Sequence, residues 1–258
     1  MLLNFLRSQK NNYIIRHFDK TRYGKRIRKM HNAFDGRCFI VANGPSLTPS
    51  DLDVLNENNE FSFGMNRIFK MFERTKWTPF FYVCEDINIF HGSIDQINSI
   101  DTKHKFIPIN HLLFNNIRIK DAIYFYMNYD KSKDSFLSFS ENIDKKIDAH
   151  GTVTFTCINI AVYLGFKEIY LLGVDHNYRV TINEDGNKVV DENVNDYFCD
   201  GYDDDIKDEV VHDMKRNTLA YNQAKEYCDI HGIKVFNATR GGKLEVFPRV
   251  DFDSLFEG

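Results

Sequence analysis

The chain has 258 residues, of which 43% are hydrophobic and 27% charged, a globular composition with enough apolar side chains for a substantial core. No run of about 18 apolar residues is present, so no transmembrane helix is expected, and Arg7 and Lys10 interrupt the opening Leu2–Leu6 stretch too early for a secretory signal. The net charge of −4 argues against a nucleic-acid-binding groove, and Cys38, Cys84, Cys157, Cys199 and Cys228 show neither CxxC nor metal-ligand spacing, which points to free thiols in a reducing, cytoplasmic compartment.

The charge is unevenly spread. Residues 1–32 hold nine Lys/Arg and one Asp, leaving an acidic body. Leu2, Leu3, Phe5, Leu6, Tyr13, Ile14, Ile15 and Phe18 lie among those cations. This basic arm suits a peripheral helix on an anionic membrane surface, the inner face of the plasma membrane. It equally suits a helix docked on its own acidic body.

Residues 33–258 read as one domain. Cys38–Ala42 is a short apolar run of the kind found in a strand buried on both faces. Asn43-Gly44-Pro45-Ser46 ends it in a turn, and Leu47 with Asp51–Leu55 continues as a helix with Ser46 or Ser50 as its N-cap. A strand, a tight turn and a helix N-terminus make a ready phosphate or nucleotide site. An ordinary β–α turn reads the same way, because the glycine fingerprint of a dinucleotide fold is missing. Residues 61–66 and 79–84 are further strands, with a helix between at 67–74, and 105–109 and 122–127 are two more. Residues 128–150, rich in Ser, Asp, Lys and Asn, read as a mobile connection.

Gly151–Leu164 is a helix entered from a Gly-Thr turn and closed by Gly165. Residues 167–175 form the clearest buried strand, ending in Gly173-Val174-Asp175. From about 177 to 211 the chain is polar and acidic, which predicts a lid with no packed core. Asp213–His231 returns to helix, Gly232 caps it, and 233–237 is a last strand. Apolar strands that alternate with helices and end in Asn, Asp or Glu imply an α/β, Rossmann-like, doubly wound and mostly parallel sheet, with ligands at the carboxyl ends of the strands.

Two stretches, Asn43-Gly44-Pro45-Ser46-Leu47 and Leu164–Asp175, together resemble the bacterial sialyltransferases of glycosyltransferase family 42. The same pair marks the related 6-hydroxymethylpterin diphosphokinase MptE-like family. The resemblance implies an inverting, metal-independent glycosyltransferase with no cofactor beyond its donor, a nucleotide sugar carrying a CMP-linked nonulosonate such as sialic acid. Its acceptor would be a surface glycan, a glycoprotein or a lipid-linked glycan, and homo-oligomerisation is left open. Carried over by position, Asn43, Gly44 and Ser46, with Pro45 between them, would line phosphate and ribose. Asn66 would bind the nucleotide, Asp86 or Asn88 the sugar, and Gly151, Thr152 and Val153 would lie near both. His212 would be the general base. Tyr178, with Tyr197 or Tyr202, would hold the departing phosphate, although Val210 and Val211 stand where the family has a tyrosine just before the histidine.

Read from the residues alone, His212 is either such a base or a capping residue. His176 is a second candidate base or a structural histidine met by a loop carbonyl, and His150 touches a phosphate or simply belongs to a loop. Asp175 binds ribose or a metal, or caps its turn. Asp203-Asp204-Asp205 is a solvated lid segment or a Mg²⁺ site, although consecutive residues point in different directions. Arg240-Gly241-Gly242-Lys243 holds an anion or forms a plain turn. Two alternatives therefore stand beside glycosyl transfer. One is an MptE-like, Mg-ATP-dependent diphosphokinase. The other is a non-catalytic nucleotide-binding module.

Overall fold

The computed structural model describes residues 2–129, 138–183, 185–204 and 210–257, with residues 2–5 as backbone only. Two helices open the chain, α1 (Leu2–Arg16) and α2 (Arg22–Arg28). Then come β1 (Arg37–Val41), α3 (Pro49–Glu57), β2 (Ser62–Met65), β3 (Phe81–Val83), α4 (Ile87–Ser99), β4 (His104–Pro108), α5 (Ile109–Phe114) and β5 (Ile123–Phe125). A small parallel pair, β6 (Met127–Asn128) and β7 (Ile147–Asp148), leads to α6 (Val153–Leu164) and β8 (Glu168–Leu172). The hairpin β9 (Val180–Ile182) and β10 (Lys188–Val190) precedes α7 (Met214–Ile230) and β11 (Lys234–Asn237).

Seven strands form one parallel sheet in the order β11-β8-β1-β2-β3-β4-β5. The chain winds outward from β1 to β5, returns beside β1 as β8, and winds the other way to β11. The winding therefore reverses between β1 and β8, where an open α/β sheet leaves a crevice at its carboxyl edge. In β1, Cys38 and Ile40 enter one apolar layer while Phe39 and Val41 enter the other, which is why the strand is an unbroken apolar run. The phenylalanine excess is core: Phe34, Phe61, Phe80, Phe81 and Phe166 pack ring against ring under the first layer.

Several local expectations change. The segment 67–74 holds only a 3₁₀ turn, Ile68–Met71. Asp86 caps α4 by accepting the Asn88 amide at 2.9 Å, and neither α4 nor α5 stood out in the sequence. The connection at 128–150 falls partly on 130–137, outside the described residues. Its remainder is packed rather than loose, with Ile143 and Ile147 fully buried. The lid also contributes to the core, since Val180 and Tyr202 are 1% and 4% exposed. The basic arm docks on the body. Asn11 donates to the Leu113 carbonyl at 2.8 Å, Phe18 and Ile27 enter the core, and Gly24 lies so close to the backbone of residues 18 and 144 that a Cβ there would fall 2.4 Å from the Phe18 oxygen. Arg28 pairs with Asp144 at 2.7 Å. Among the described residues no helix is long and apolar enough to cross a membrane.

Candidate functional site

At the reversal point the two turns foreseen in the sequence are clasped together. The Gly44 amide donates to the Gly173 carbonyl at 2.9 Å, and the Ser46 hydroxyl donates to Asp175 Oδ2 at 2.8 Å. A Cβ on Gly44 would fall 1.9 Å from Asp175 Oδ2, so glycine is required here by close approach. Beside this clasp opens a cavity of about 370 Å³ whose wall includes Asn43, Gly44, Asn66, Glu85, Asp86, Gly151–Thr154, Asp175–Tyr178 and His212. Pro45 and Ser46 are not part of the wall. Ser46 holds Asp175 instead of a ligand, which gives Asp175 its turn-capping role, and burial raises the Asp175 carboxyl. Asn88 is likewise outside the wall, whereas Asp86 lines it.

Asn43 and Asn66 each present an amide oxygen with no hydrogen-bond partner among the described residues. Asn43 Nδ2 donates to the Met65 carbonyl at 3.2 Å, and the backbone of Asn66 is fixed by its N–H donating to the Val83 carbonyl at 3.0 Å and its C=O accepting from the Tyr82 hydroxyl at 2.6 Å. Two buried acceptors held in place and left unsatisfied call for donors on a ligand, such as hydroxyls or an exocyclic amine.

The helix N-terminus expected to bind phosphate is closed. Helix α3 starts at Pro49 and not at the Gly-Pro-Ser turn, with Thr48 as N-cap in place of Ser46 or Ser50. Thr48 and Asp51 form a reciprocal capping box. Arg240 pairs with Asp51 at 3.0 Å and with Asp253 at 2.7 Å. The Arg240–Lys243 turn is therefore structural: Gly241 and Gly242 carbonyls accept from Arg249, and the Lys243 amide donates to the Asp175 carbonyl at 2.7 Å. The open N-terminus is that of α6, where the N-cap Thr152 makes no side-chain cap bond and residues 151–154 line the cavity. Beside Gly151, at φ +88°, lies Arg216, which donates to the Ala149 carbonyl at 3.1 Å. Arg216 escaped the sequence reading; its signal is its place in the first turn of α7, one turn after His212.

The opposite wall comes from the lid. His212 extends β9 by a bridge, its amide donating to Val180 at 3.0 Å and its carbonyl accepting from Ile182 at 3.1 Å. Its ring stacks on Tyr178 with centroids 3.7 Å apart. Burial lowers the His212 pKa, against the pull of Asp196, and Nε2 has no partner among the described residues. His176 bonds Thr218 rather than a loop carbonyl. Tyr202 has a pinning role: its hydroxyl accepts the Arg67 amide at 3.1 Å, its ring stacks on Tyr197, and its carbonyl accepts from Lys70 at 3.1 Å. The Phe198 amide donates to the Asn43 backbone carbonyl at 3.1 Å. His150 is structural, buried against Phe155 and facing the Ser138 carbonyl at 3.1 Å, and it does not line the cavity. Glu85 was also missed as a site residue. Thr156 donates to it at 2.7 Å, and burial pushes its carboxyl up to about 7. Asp203 lines the cavity, Asp204 is exposed and Asp205 lies outside the described residues. No three metal-ligating side chains gather among those described.

Comparison with known proteins bears on both turns. Among solved structures, the MAf glycosyltransferase from Magnetospirillum magneticum AMB-1 aligns with a TM-score of 0.55 and 18% identity over 93% of this chain, which spans 39% of that protein's length. The sialyltransferase CstII from Campylobacter jejuni, in complex with cytidine-5'-monophosphate, aligns at 0.47 and 17% over 83% of this chain and 84% of that one. At such identities the likeness to MAf speaks for a shared fold. No curated protein matches the chain. The model of the 6-hydroxymethylpterin diphosphokinase MptE-like family matches residues 11–181, a span that includes both clasped turns and the strands behind them. The chain therefore belongs to the 6-hydroxymethylpterin diphosphokinase MptE-like family.

Proposed function

We propose that the chain is a glycosyltransferase that moves a sugar from a nucleotide donor, a CMP-linked nonulosonate, to a hydroxyl of a surface glycan, glycolipid or glycoprotein. The observation that carries this reading is the pairing of an imidazole nitrogen, His212 Nε2, with the amide oxygens of Asn43 and Asn66 around one cavity, all three without a partner among the described residues. The oxygens suit a hydroxyl-rich ligand, and the nitrogen suits a proton acceptor. In the proposed step the acceptor oxygen attacks the anomeric carbon from the face opposite the nucleotide, and its proton passes to His212 Nε2. The bond from anomeric carbon to phosphate oxygen breaks, and CMP leaves with the bonding pair. Its phosphate is met by the open N-terminus of α6, by Arg216 and by the Tyr178 hydroxyl, donors that stabilise developing negative charge without a metal.

A lipid-linked acceptor places the reaction at the cytoplasmic face of the plasma membrane. There Arg7, Lys10, Arg16, Lys20 and Lys25, exposed like Leu6 and Tyr13 of the same arm, would meet anionic headgroups.

The acidic character of the wall favours a second reading, Mg-ATP-dependent diphosphoryl transfer to a hydroxymethyl pterin. Glu85, Asp86, Asp196 and Asp203 all line the cavity. Because the described carboxylates form no three-ligand cluster, a cation would arrive on the nucleotide's phosphates and be met by one or two of them. A thermal-shift panel of CMP, CDP, UDP, GDP and ATP, each with EDTA and with Mg²⁺, separates the readings, because a ligand of the folded state raises the Tm. Stabilisation by CMP that survives EDTA is expected. Stabilisation by ATP alone, and only with Mg²⁺, would replace the first reading with the second.

A further inference from the structure

The cavity holds a second histidine whose chemistry is fixed more tightly than that of His212. His176 is 6% exposed and adopts φ +50°, a left-handed conformation that costs energy outside glycine and clusters at functional sites. The turn that carries it is held from both sides, through Asp175 on Ser46 and through the Lys243 amide on the Asp175 carbonyl. The neighbouring hydrogen bonds decide its tautomer. The Thr218 hydroxyl lies 2.8 Å from the Met214 carbonyl, which can only accept, so its proton points there. The Thr218 oxygen, 2.9 Å from His176 Nε2, therefore accepts, and Nε2 carries the ring proton. Nδ1 is left as a buried lone pair with no partner among the described residues. Burial, with His212 nearby, holds the ring neutral, at a pKa of about 4.

We propose that His176 reads the ligand: Nδ1 accepts a hydrogen bond from a hydroxyl or amino group of the sugar nucleotide in the cavity. The two histidines then divide the work. His212, at the end of the lid, takes a proton; His176, on the turn after β8, is a fixed neutral acceptor that completes the set begun by the Asn43 and Asn66 oxygens. The assignment rests on the nucleotide-sugar reading above.

Two substitutions separate the ring's nitrogens. His176→Asn keeps an acceptor at the δ position and tolerates φ +50°, but it gives up Thr218. His176→Gln keeps an amide N–H within reach of Thr218 and has nothing to offer at δ. The wild type and both variants are titrated with CMP and with a CMP-linked nonulosonate. His176→Gln is expected to weaken binding of the sugar nucleotide about tenfold and His176→Asn by less than about threefold. Binding by His176→Gln equal to wild type overturns the assignment. So does a His176→Asn loss as large as that of His176→Gln, which would leave the Thr218 bond as the whole role. A wild type that binds neither ligand overturns the nucleotide-sugar reading and the assignment with it, whereas wild-type binding with an indifferent His176→Gln overturns the assignment alone. Nitrogen NMR of the unliganded wild type checks the premise independently of either variant's folding. The Nε2–H tautomer is expected, and an Nδ1–H tautomer contradicts the proposal.

Discussion

Helices α3 and α6 both begin at the carboxyl edge of the sheet, and they finish their first turns in opposite ways. At α3, Thr48 and Asp51 satisfy each other's backbone amides and Arg240 pairs with the carboxylate, so the helix start is already capped. At α6 no side chain caps the helix, the first turn faces the cavity, and the cation alongside is Arg216. A helix N-terminus binds phosphate only if its own residues leave the amides available. Here the helix that follows the first strand, the usual place to look, is the closed one.

The contrast can be broken from several directions. The largest effect is expected on the open side, where His212→Ala lowers turnover by about 10² to 10⁴ and leaves CMP affinity near that of wild type, measured by steady-state kinetics beside calorimetry. Next, Thr152→Asp supplies the cap that α6 lacks. It should raise the stability of the unliganded protein by about 1 kcal/mol while its carboxylate weakens CMP binding by about tenfold or more. Denaturant melts and titrations of the same preparation report both changes. On the closed side, Thr48→Ala removes half the capping box, costing about 1 kcal/mol with no change in CMP affinity. The smallest effect is a displacement in pH. Burial lowers the His212 pKa, and a base works unprotonated, so turnover should fall on acidification only as the pH drops through a value below the usual 6.5 for histidine. An acid limb above 6.5 would assign the base elsewhere.

Much of this architecture was legible in the sequence. The run Cys38–Ala42, the Gly44 turn, the Gly165 cap at φ +111° and the apolar stretch 167–175 depend on local composition, and strands at Arg37–Val41 and Glu168–Leu172 form within or beside those runs. Asn43, Asn66, Asp86, Thr152, Tyr178 and His212, separated widely along the chain, do share one cavity. What escaped was set by long-range partners. Ser46 has the composition of a phosphate-turn residue, yet its hydroxyl is held by Asp175, 129 positions away. Arg240 has the appearance of an anion site, and the carboxylates that neutralise it belong to α3 and the C-terminal segment. The acidic lid reads as unpacked because its anchors, Tyr202 on Arg67 and Phe198 on the Asn43 backbone, are isolated residues spread through a polar stretch. The basic arm is anchored by Asn11 and Gly24, whose roles depend on the surfaces they meet.

The most direct measurement is a crystal structure of the wild type soaked with CMP in the presence of EDTA. The phosphate is expected against the backbone amides at the start of α6 beside Arg216, with the Asn43 and Asn66 side-chain oxygens accepting from the nucleoside. A phosphate seated at the start of α3, with Arg240 swung away from Asp51, or a cavity left empty at saturating CMP, would contradict that expectation.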